Sequence, residues 1–348
     1  MEESHRFVKV NGIRMHVAER GRGRLVLLCH GFPEGWYSWR HQLSALASAG
    51  YHAVAPDQRG YGQTEQPEAI EAYTLCHLVA DMVSLVRELG EEKAAIVGHD
   101  WGALVAWSCA LLRPDIFHSL CLMSVPYIAY SSSGPRPTEQ MKIMAGGKQF
   151  YQLYFQQAGK AEKELETNVR ATFLGAFYAA SGEASPEKQW RFLFEPSERF
   201  IDTIPCPATL PTFLRPEDLD YFTCEFTRSG FRGALNWYRN MDRNSELLAF
   251  LGGAKIWQPA LFIAGERDGV IRMYRDAFEN METTVPNLRG KSLIPGAGHW
   301  IQQERPEEVN HLLLKFLAGE EASAGCQPTR AHEAHSQSGG RENAARLY

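Results

Sequence analysis

The chain has 348 residues, of which 44% are hydrophobic and 22% charged, so its composition is that of an ordinary globular protein with a deep core. Its formal net charge of −5 argues against nucleic-acid binding, which calls for a basic patch. No apolar run approaches the roughly 18 residues of a membrane span, and the polar, acidic start does not resemble a secretory signal. Seven cysteines, an odd number without paired spacing, are expected to be small core residues in a reduced, cytoplasmic protein.

The apolar patterns predict a sheet covered by helices. Residues 7–10 and 13–17, joined at Asn11-Gly12, predict a β-hairpin with a tight turn. Several other segments are apolar without alternation, which is typical of strands that helices cover on both faces. These predicted strands are residues 25–29, 53–55, 93–97, 119–125, 259–265 and 292–295. Helical spacing of apolar residues predicts helices over 75–89 and 306–317.

Between residues 127 and 250 the strand signal fades and helical patterns dominate. The predicted helices of this block are residues 140–156, 161–180, 216–228 and 232–241. A helical block inserted into such a sheet predicts a cap over the active face, at the carboxyl ends of the strands. The prediction is therefore an α/β fold with a mostly parallel central sheet. Its core comprises residues 1–126 and 251–318, its helical cap residues 127–250, and a polar tail predicted to be disordered residues 319–348.

The pentapeptide Gly98-His99-Asp100-Trp101-Gly102 lies between a predicted strand and a predicted helix. A nucleophile flanked at two positions by small residues is the signature of the nucleophile elbow of α/β-hydrolases. Asp100 is already ionised at neutral pH and would attack carbon directly to leave an ester. That chemistry suits an epoxide or a carbon bearing halide better than an ordinary ester or amide. The alternative for Asp100 is a helix N-cap, a position that Asp fills well.

The ester of Asp100 would need a base that activates water, and His299 is the candidate. It lies in the Gly-rich segment 295–299 directly after the last predicted strand, and an imidazole titrates near neutral pH. Asp268, after the strand that ends at Gly265, is the candidate that orients His299, with Glu266 as its rival. The order Asp100, Asp268, His299 is the α/β-hydrolase order of nucleophile, acid and base.

Five motifs in order along the chain closely resemble soluble epoxide hydrolases, particularly the hydrolase domain of the mammalian soluble members. They are His30-Gly31-Phe32-Pro33-Glu34, Gly98-His99-Asp100-Trp101-Gly102, Phe150-Tyr151-Gln152-Leu153-Tyr154, Gly233-Ala234-Leu235-Asn236-Trp237-Tyr238 and Gly298-His299-Trp300. The resemblance covers residues 5–318 and implies a freestanding bacterial form of that unit. It also favours Asp268 over Glu266.

The resemblance assigns two tyrosines of the cap, Tyr151 and Tyr238, as the pair that hydrogen-bonds and protonates the epoxide oxygen. A phenol stays protonated at neutral pH and can assist a poor alkoxide leaving group. The alternative is that these rings only pack, as some of the neighbouring tyrosines must. The resemblance further implies an oxyanion hole formed by the backbone N–H groups of Phe32 and Trp101, and a cis peptide bond between Phe32 and Pro33.

Tryptophans near the motifs are expected to line or brace an apolar substrate pocket, with core packing as the alternative for the first and last of them. They are Trp36, Trp237 and Trp300. The resulting hypothesis is a cofactor-independent epoxide hydrolase that converts small apolar epoxides and water to vicinal diols, as a monomer or homodimer, with detoxification among its possible roles. A haloalkane or haloacid dehalogenase would share Asp100, Asp268 and His299 but needs no phenol acid. A hydrolase-fold protein that binds an apolar ligand without turnover is the third alternative.

Overall fold

The computed structural model describes the backbone of residues 3–325 and the side chains of residues 3–320. The strands in this part of the chain are β1 (Ser4–Val10), β2 (Ile13–Arg20), β3 (Leu25–Cys29), β4 (His52–Pro56), β5 (Ala94–His99), β6 (Phe117–Met123), β7 (Gln149–Phe150), β8 (Leu193–Phe194), β9 (Ala260–Gly265) and β10 (Leu288–Ile294). The α-helices are α1 (Arg40–Ser48), α2 (Leu75–Glu88), α3 (Trp101–Leu112), α4 (Pro137–Ala145), α5 (Tyr151–Tyr154), α6 (Lys160–Thr167), α7 (Val169–Ala179), α8 (Pro216–Ser229), α9 (Arg232–Arg239), α10 (Met241–Leu247), α11 (Gly269–Met273), α12 (Arg275–Glu279), α13 (Met281–Thr284), α14 (Ile301–Glu304) and α15 (Pro306–Gly325).

Eight strands form one sheet in the order β1-β2-β4-β3-β5-β6-β9-β10. The first two pairings are antiparallel and the others parallel, so the predicted α/β-hydrolase fold with a mostly parallel sheet is confirmed. Every residue of β3, β5 and β9 is buried, as their unbroken apolar sequences predicted. Alternate residues face two separate cores: Leu27 packs in the one that includes α2 and α3, and Val26 in the one that includes α1 and α15.

The predicted hairpin of β1 and β2 is confirmed, and its turn has the expected chemistry. Asn11 and Gly12 have φ values of 41° and 82°, the positive range that a two-residue turn of this kind requires. Seven residue pairs join the two strands in unbroken register, from Ser4 opposite Glu19 to Val10 opposite Ile13.

Between β6 and β9 the chain forms the helical block α4–α10, with one short antiparallel pair of strands, β7 and β8. Two helix predictions in this block are wrong. The predicted helix over 140–156 ends at Ala145, because Gly146 and Gly147 take the left-handed φ values of 56° and 91°. The predicted helix over 161–180 is two helices, separated at Asn168, whose side chain accepts a hydrogen bond from the Ala171 N–H and caps the second.

The last helix, α15, is longer than its predicted span of 306–317. It continues to Gly325, so the first seven residues of the predicted polar tail, 319–325, are helical. Alanine and glutamate, both good helix formers, fill most of this extension. The rest of that predicted tail lies outside the described residues. Within residues 3–325 no helix is long and apolar enough to cross a membrane.

A buried ion pair joins the hairpin turn to the helical layer. The Arg59 guanidinium donates to both carboxylate oxygens of Asp81, at 2.7 and 2.6 Å, and the Asn11 amide donates to the same carboxylate at 2.9 Å. The Arg59 carbonyl in turn accepts a hydrogen bond from the Trp237 indole of α9 at 2.9 Å. The pair therefore connects β-hairpin, α2 and the inserted block.

We predict that Asp81→Ala lowers the free energy of unfolding by about 3–5 kcal/mol, because it leaves the buried Arg59 charge without its partner. Chemical denaturation followed by circular dichroism measures this. Glu279→Ala is the matched control: it breaks the Arg275–Glu279 pair, whose side chains are 75% and 52% exposed, and should cost less than about 1 kcal/mol. Equal losses from the two substitutions would contradict the prediction.

Candidate active site

The turn between β5 and α3 places Asp100 at the carboxyl edge of the sheet. Asp100 has φ 52° and ψ −121°, a conformation that L residues rarely adopt. A Cβ at Gly98 would lie 2.0 Å from the Gly102 carbonyl oxygen, and a Cβ at Gly102 would lie 1.9 Å from the Cys29 carbonyl oxygen. Only glycine fits at either position, which explains the small residues at both ends of the predicted elbow.

The Asp100 carboxylate does not cap the helix that follows it. Asp100 occupies the N-cap position of α3, but its side chain makes no capping hydrogen bond. Instead Oδ1 accepts a hydrogen bond of 2.8 Å from the Phe32 N–H, and Oδ2 lies 3.6 Å from Nε2 of His299. A Cβ at Gly31 would lie 2.4 Å from the Asp100 side chain, so the loop after β3 passes directly against the carboxylate. The helix-cap alternative for Asp100 is therefore wrong.

The His299 ring lies between Asp268 and Asp100, with one ring nitrogen facing each carboxylate. His299 Nδ1 lies 3.1 Å from Oδ2 of Asp268, and the other carboxylate oxygen of Asp268 accepts a hydrogen bond of 2.8 Å from the Val270 N–H. Asp268 is fully buried. The rival Glu266 is exposed and accepts a hydrogen bond from the Gly296 N–H, away from the imidazole. The structure thus brings Asp268, and not Glu266, to His299.

The pKa of His299 reflects opposing effects. Burial acts to lower it, because the charged imidazolium loses its hydration. The carboxylates of Asp268 and Asp100 act in the other direction, and together they raise the pKa of His299 well above its ordinary value. The imidazolium is therefore stabilised as long as both carboxylates are ionised.

The two tyrosines of the helical block, Tyr151 and Tyr238, line the same cavity as Asp100, with their ring centroids 6.2 Å apart. The Tyr238 ring packs edge-on against Phe32 and Trp101, with centroid distances of 5.4 and 5.0 Å. Burial is the main reason that the pKa values of Tyr151 and Tyr238 are well above their ordinary values, and the Asp100 charge adds to it. Both phenols are therefore neutral hydrogen-bond donors at physiological pH.

Asp100, His299 and both tyrosines share one cavity between the sheet edge and the helical block. Its lining residues are Phe32, Asp100, Tyr151, Ala179, Ala180, Ser181, Gln189, Trp190, Phe192, Tyr238, Arg267, Asp268, Gly269, Val270, Arg272 and His299. Of the two predicted oxyanion donors, the Phe32 N–H donates to Asp100 Oδ1, and Trp101 is the first residue of α3, where a helix leaves its N–H groups without intrahelical acceptors. Their role in an oxyanion hole stays a prediction. The Phe32-Pro33 peptide is cis, as predicted.

None of the three tryptophans expected to line or brace the pocket lines this cavity, and their bracing role stays a prediction. Trp36 packs against His5 and Tyr221 in the core that includes α1 and α15. The indole of Trp237 is fully buried and donates to the Arg59 carbonyl, and that of Trp300 donates to the Ala176 carbonyl. Such apolar side chains lie near the motifs in the sequence, but the neighbouring helices enclose them completely.

Other residues of the cavity were not predicted. Trp190 and Phe192, each with its ring centroid within 5.5 Å of the Tyr151 ring centroid, supply much of its aromatic wall. Large apolar residues alternate over 190–194, at Trp190, Phe192 and Phe194, and this pattern could have predicted a strand there. Gln152 donates a hydrogen bond of 2.8 Å to the Tyr151 hydroxyl. Its polar side chain inside the aromatic segment 150–155 is the sequence signal that could have predicted a role for it.

Comparisons with known proteins agree with this geometry. A family model for the alpha/beta hydrolase fold matches residues 24–306. The chain is 45% identical over 318 residues to "Epoxide hydrolase A" of Mycobacterium tuberculosis, which covers 91% of this chain and 98% of that protein. It is 38% identical over 315 residues to "Bifunctional epoxide hydrolase 2" of Sus scrofa, covering 90% of this chain and 55% of that protein. A structure described as "Epoxide hydrolase from an endophytic Streptomyces" matches with a TM-score of 0.89 and 47% identity, covering 92% of this chain and 96% of that one.

The chain belongs to the α/β-hydrolase superfamily and, within it, to the epoxide hydrolases. The family resemblance seen in the motifs is thus confirmed. Its emphasis changes in one respect, since the bacterial relative is more similar to this chain than the mammalian one is, at 45% against 38% identity.

We predict that Gly102→Ala lowers the free energy of unfolding by about 1–3 kcal/mol, because the added Cβ collides with the backbone of β3. The same change in an open helix site would be neutral or slightly stabilising. Gly319→Ala in α15 is that control, since a Cβ there meets nothing within 4 Å. Thermal and chemical denaturation of both variants measure the difference. A Gly102→Ala protein as stable as the Gly319→Ala protein would contradict the close packing of the elbow.

Proposed function

We propose that this chain hydrolyses epoxides to vicinal diols through a covalent ester on Asp100. The proposal is carried by one juxtaposition: an ionised carboxylate, an imidazole paired with a second carboxylate, and two neutral phenols line the same cavity. An anionic nucleophile suits a strained electrophilic carbon, and the phenols lie where they can receive the oxygen that leaves it.

In the first step, Asp100 Oδ2 attacks an epoxide carbon and the carbon–oxygen bond of the ring breaks. Oδ1 is held by the Phe32 N–H at 2.8 Å, which leaves Oδ2, 3.6 Å from His299 Nε2, as the attacking oxygen of the carboxylate. The departing oxygen accepts hydrogen bonds from Tyr151 and Tyr238 and takes a proton from one of them. Such acid assistance is typically worth about 10²- to 10⁴-fold in rate.

In the second step, His299 removes a proton from water, and the hydroxide attacks the ester carbonyl carbon. The negative charge that develops on Oδ1 is stabilised by the N–H groups of Phe32 and Trp101. Asp268 orients the imidazole and stabilises the imidazolium. The intermediate then collapses, and the diol oxygen leaves with a proton from the imidazolium. Asp100 is left as a carboxylic acid, which releases the proton that the hydroxide carried and is again a carboxylate. This release balances the proton that the tyrosinate of the first step regains from solvent.

The finer features of this proposal concern the chain's organisation and setting. We propose that residues 127–250 act as the cap that encloses the substrate, with residues 1–126 and 251–318 as the catalytic core. We also propose a cytoplasmic enzyme that takes small apolar epoxides, as a monomer or homodimer. The apolar surroundings of the cavity support the substrate class, because Phe32, Trp190 and Phe192 line it.

A single turnover in water enriched in oxygen-18 tests the covalent route. With enzyme in excess over styrene oxide, we expect the label to enter the Asp100 carboxylate and not the diol of that first turnover. The diol takes its second oxygen from Asp100, and labelled water replaces that oxygen on the enzyme. Mass spectrometry of the peptide containing Asp100 and of the diol measures both.

The control for this experiment is incubation of the enzyme in labelled water without the epoxide, which should leave the peptide unlabelled. Label in the diol of the first turnover would mean direct hydration by water. That outcome would refute Asp100 as the nucleophile while leaving the epoxide hydrolase activity intact.

Replacing both phenols tests the roles of Tyr151 and Tyr238. We predict that the double variant Tyr151→Phe/Tyr238→Phe lowers the rate of ester formation by at least about 10²-fold, because the alkoxide then leaves without a proton donor. Tyr154→Phe is the matched control in the same short helix, since the Tyr154 hydroxyl donates to Glu164. Quenched single-turnover assays measure the rate. Near-normal ring opening by the double variant would exclude the phenols as acids.

A further inference from the structure

A side-chain hydrogen bond restricts the orientation of the Tyr151 hydroxyl. Its oxygen accepts a hydrogen bond of 2.8 Å from Nε2 of Gln152. A phenol oxygen carries one proton and two lone pairs, so a donor that occupies a lone pair directs the phenol's own proton elsewhere. Tyr151 lines the cavity, and Gln152 is not among the lining residues. The amide therefore binds the Tyr151 oxygen on the side away from the cavity. The directions left for the hydroxyl proton are those toward the cavity.

From this arrangement we propose that Gln152 is a positioning residue for ring opening: its amide N–H holds the Tyr151 hydroxyl so that the proton points at the epoxide oxygen. The inference rests on the proposed function and deepens it. Gln152 touches no reacting atom and acts only through Tyr151.

The Gln152 side chain is fixed well enough to do this. It is 7% exposed, so its amide has little room to move. Its backbone carbonyl accepts a hydrogen bond of 2.9 Å from the Gln156 amide, which also donates to the Tyr238 carbonyl at 2.9 Å. Gln156 thereby links the backbones of the two segments that carry the phenols. The direction of the Tyr151 proton and the spacing of the two tyrosines are set by one connected group of hydrogen bonds.

The carbonyl oxygen of the Gln152 amide supports a role for the N–H at the other end of the same group. Its carbonyl oxygen, Oε1, is buried and accepts no hydrogen bond within the described residues. A buried acceptor without a donor costs free energy, and a leucine of similar size would avoid that cost. The N–H donated to Tyr151 is what the amide provides and leucine cannot.

The second phenol lies against an indole. The Tyr238 and Trp101 rings pack edge-on with their centroids 5.0 Å apart. Burial and then the neighbouring Tyr151 and Asp100 raise the pKa of Tyr238, so its hydroxyl also keeps its proton. The side-chain hydrogen bond from Gln152 therefore distinguishes Tyr151 as the phenol whose orientation is set by a neighbouring amide.

A third phenol, Tyr274, lies beside the same amide. Burial raises the pKa of Tyr274 to about 12, the Asp100 charge adds to this, and a hydrogen bond with Gln152 lowers it. Two neutral hydroxyl groups, those of Tyr151 and Tyr274, thus lie beside the Gln152 amide, and no carboxylate among residues 3–320 hydrogen-bonds to it. Its N–H remains available to Tyr151 over the whole neutral pH range.

The test reverses the polarity of the contact. In Gln152→Glu an ionised carboxylate can only accept a hydrogen bond. The Tyr151 hydroxyl therefore donates to this carboxylate, and its proton points away from the epoxide. In Gln152→Leu the hydroxyl has no partner and rotates freely. Ester formation and ester hydrolysis are measured separately in single turnovers of the full chain with styrene oxide, by acid quench and mass spectrometry of the Asp100 peptide.

We expect Gln152→Glu to slow ester formation by about 10²-fold at high pH, close to the loss from removing the phenol acid itself. Burial raises the pKa of the introduced carboxyl group, and its protonated form can donate as Gln152 does. The rate should therefore be near normal below that pKa and fall as pH rises through it, a dependence absent from wild type. Gln152→Leu should lose about tenfold without that pH dependence, and ester hydrolysis should change by less than about twofold in both.

A double-mutant cycle with Tyr151→Phe separates positioning from a general structural effect. If Gln152 acts through the phenol, Gln152→Glu has no further effect on ester formation once the Tyr151 hydroxyl is absent. Gln157→Glu, an exposed change of the same type in the same segment, is the control and should match wild type. Wild-type rates in Gln152→Glu at every pH, or additive losses in the cycle, would overturn the inference. Failure of wild type to form the Asp100 ester would instead overturn the proposed function.

Discussion

The site depends on the strained turn at Asp100. A non-glycine residue at φ 52° costs on the order of 1–3 kcal/mol and persists only where its surroundings hold it. Here the backbones on either side are packed so closely that Gly98 and Gly102 leave no room for a Cβ, and the Ala103 N–H donates to the Asp100 carbonyl at 3.0 Å. The turn cannot relax, so the carboxylate cannot fold back to cap α3. It stands out from the sheet edge, where Phe32 and His299 meet it.

Two buried glutamates, Glu34 and Glu304, hold the loops around Asp100 in place by hydrogen bonds. Glu34 accepts hydrogen bonds from the Gly31 N–H, His99 and Gln302 at 2.7–2.9 Å. Burial opposes its charge, but the interaction with His99 and these hydrogen bonds lower the pKa of Glu34 to about 2. Glu304 accepts from three backbone N–H groups, those of residues 182, 298 and 300, at 2.8–3.0 Å. A buried carboxylate without such donors would be very costly. The positions of the Phe32 N–H and the His299 ring are therefore fixed together.

The sequence was sufficient where function follows from topology. Asp100, Asp268 and His299 each follow a predicted parallel strand, and parallel strands end at one edge of a sheet. It was insufficient where burial decides: an indole beside a motif can line a cavity or fill a core, and only the packed helices determine that Trp237 does the latter. Glu34 went unassigned because its partners His99 and Gln302 are 65 and 268 residues away along the chain. The predicted helix ends in the inserted block were wrong at Gly146 and Gly147 and at Asn168, where single residues override an otherwise helical pattern.

In the proposed cycle, the charge of the nucleophile also controls when the base acts. In the resting site, burial disfavours the imidazolium of His299, but the carboxylates of Asp268 and Asp100 outweigh it and raise its pKa. In the proposed cycle, ester formation makes Asp100 neutral and removes one of those two carboxylates. Burial then opposes Asp268 alone, so the pKa of His299 falls. The imidazolium releases its proton to solvent, which leaves a neutral imidazole at the stage when water must be activated. Hydrolysis restores the Asp100 charge and with it the raised pKa of the base. The 3.6 Å between Asp100 Oδ2 and His299 Nε2 is thus the contact that orders the two steps.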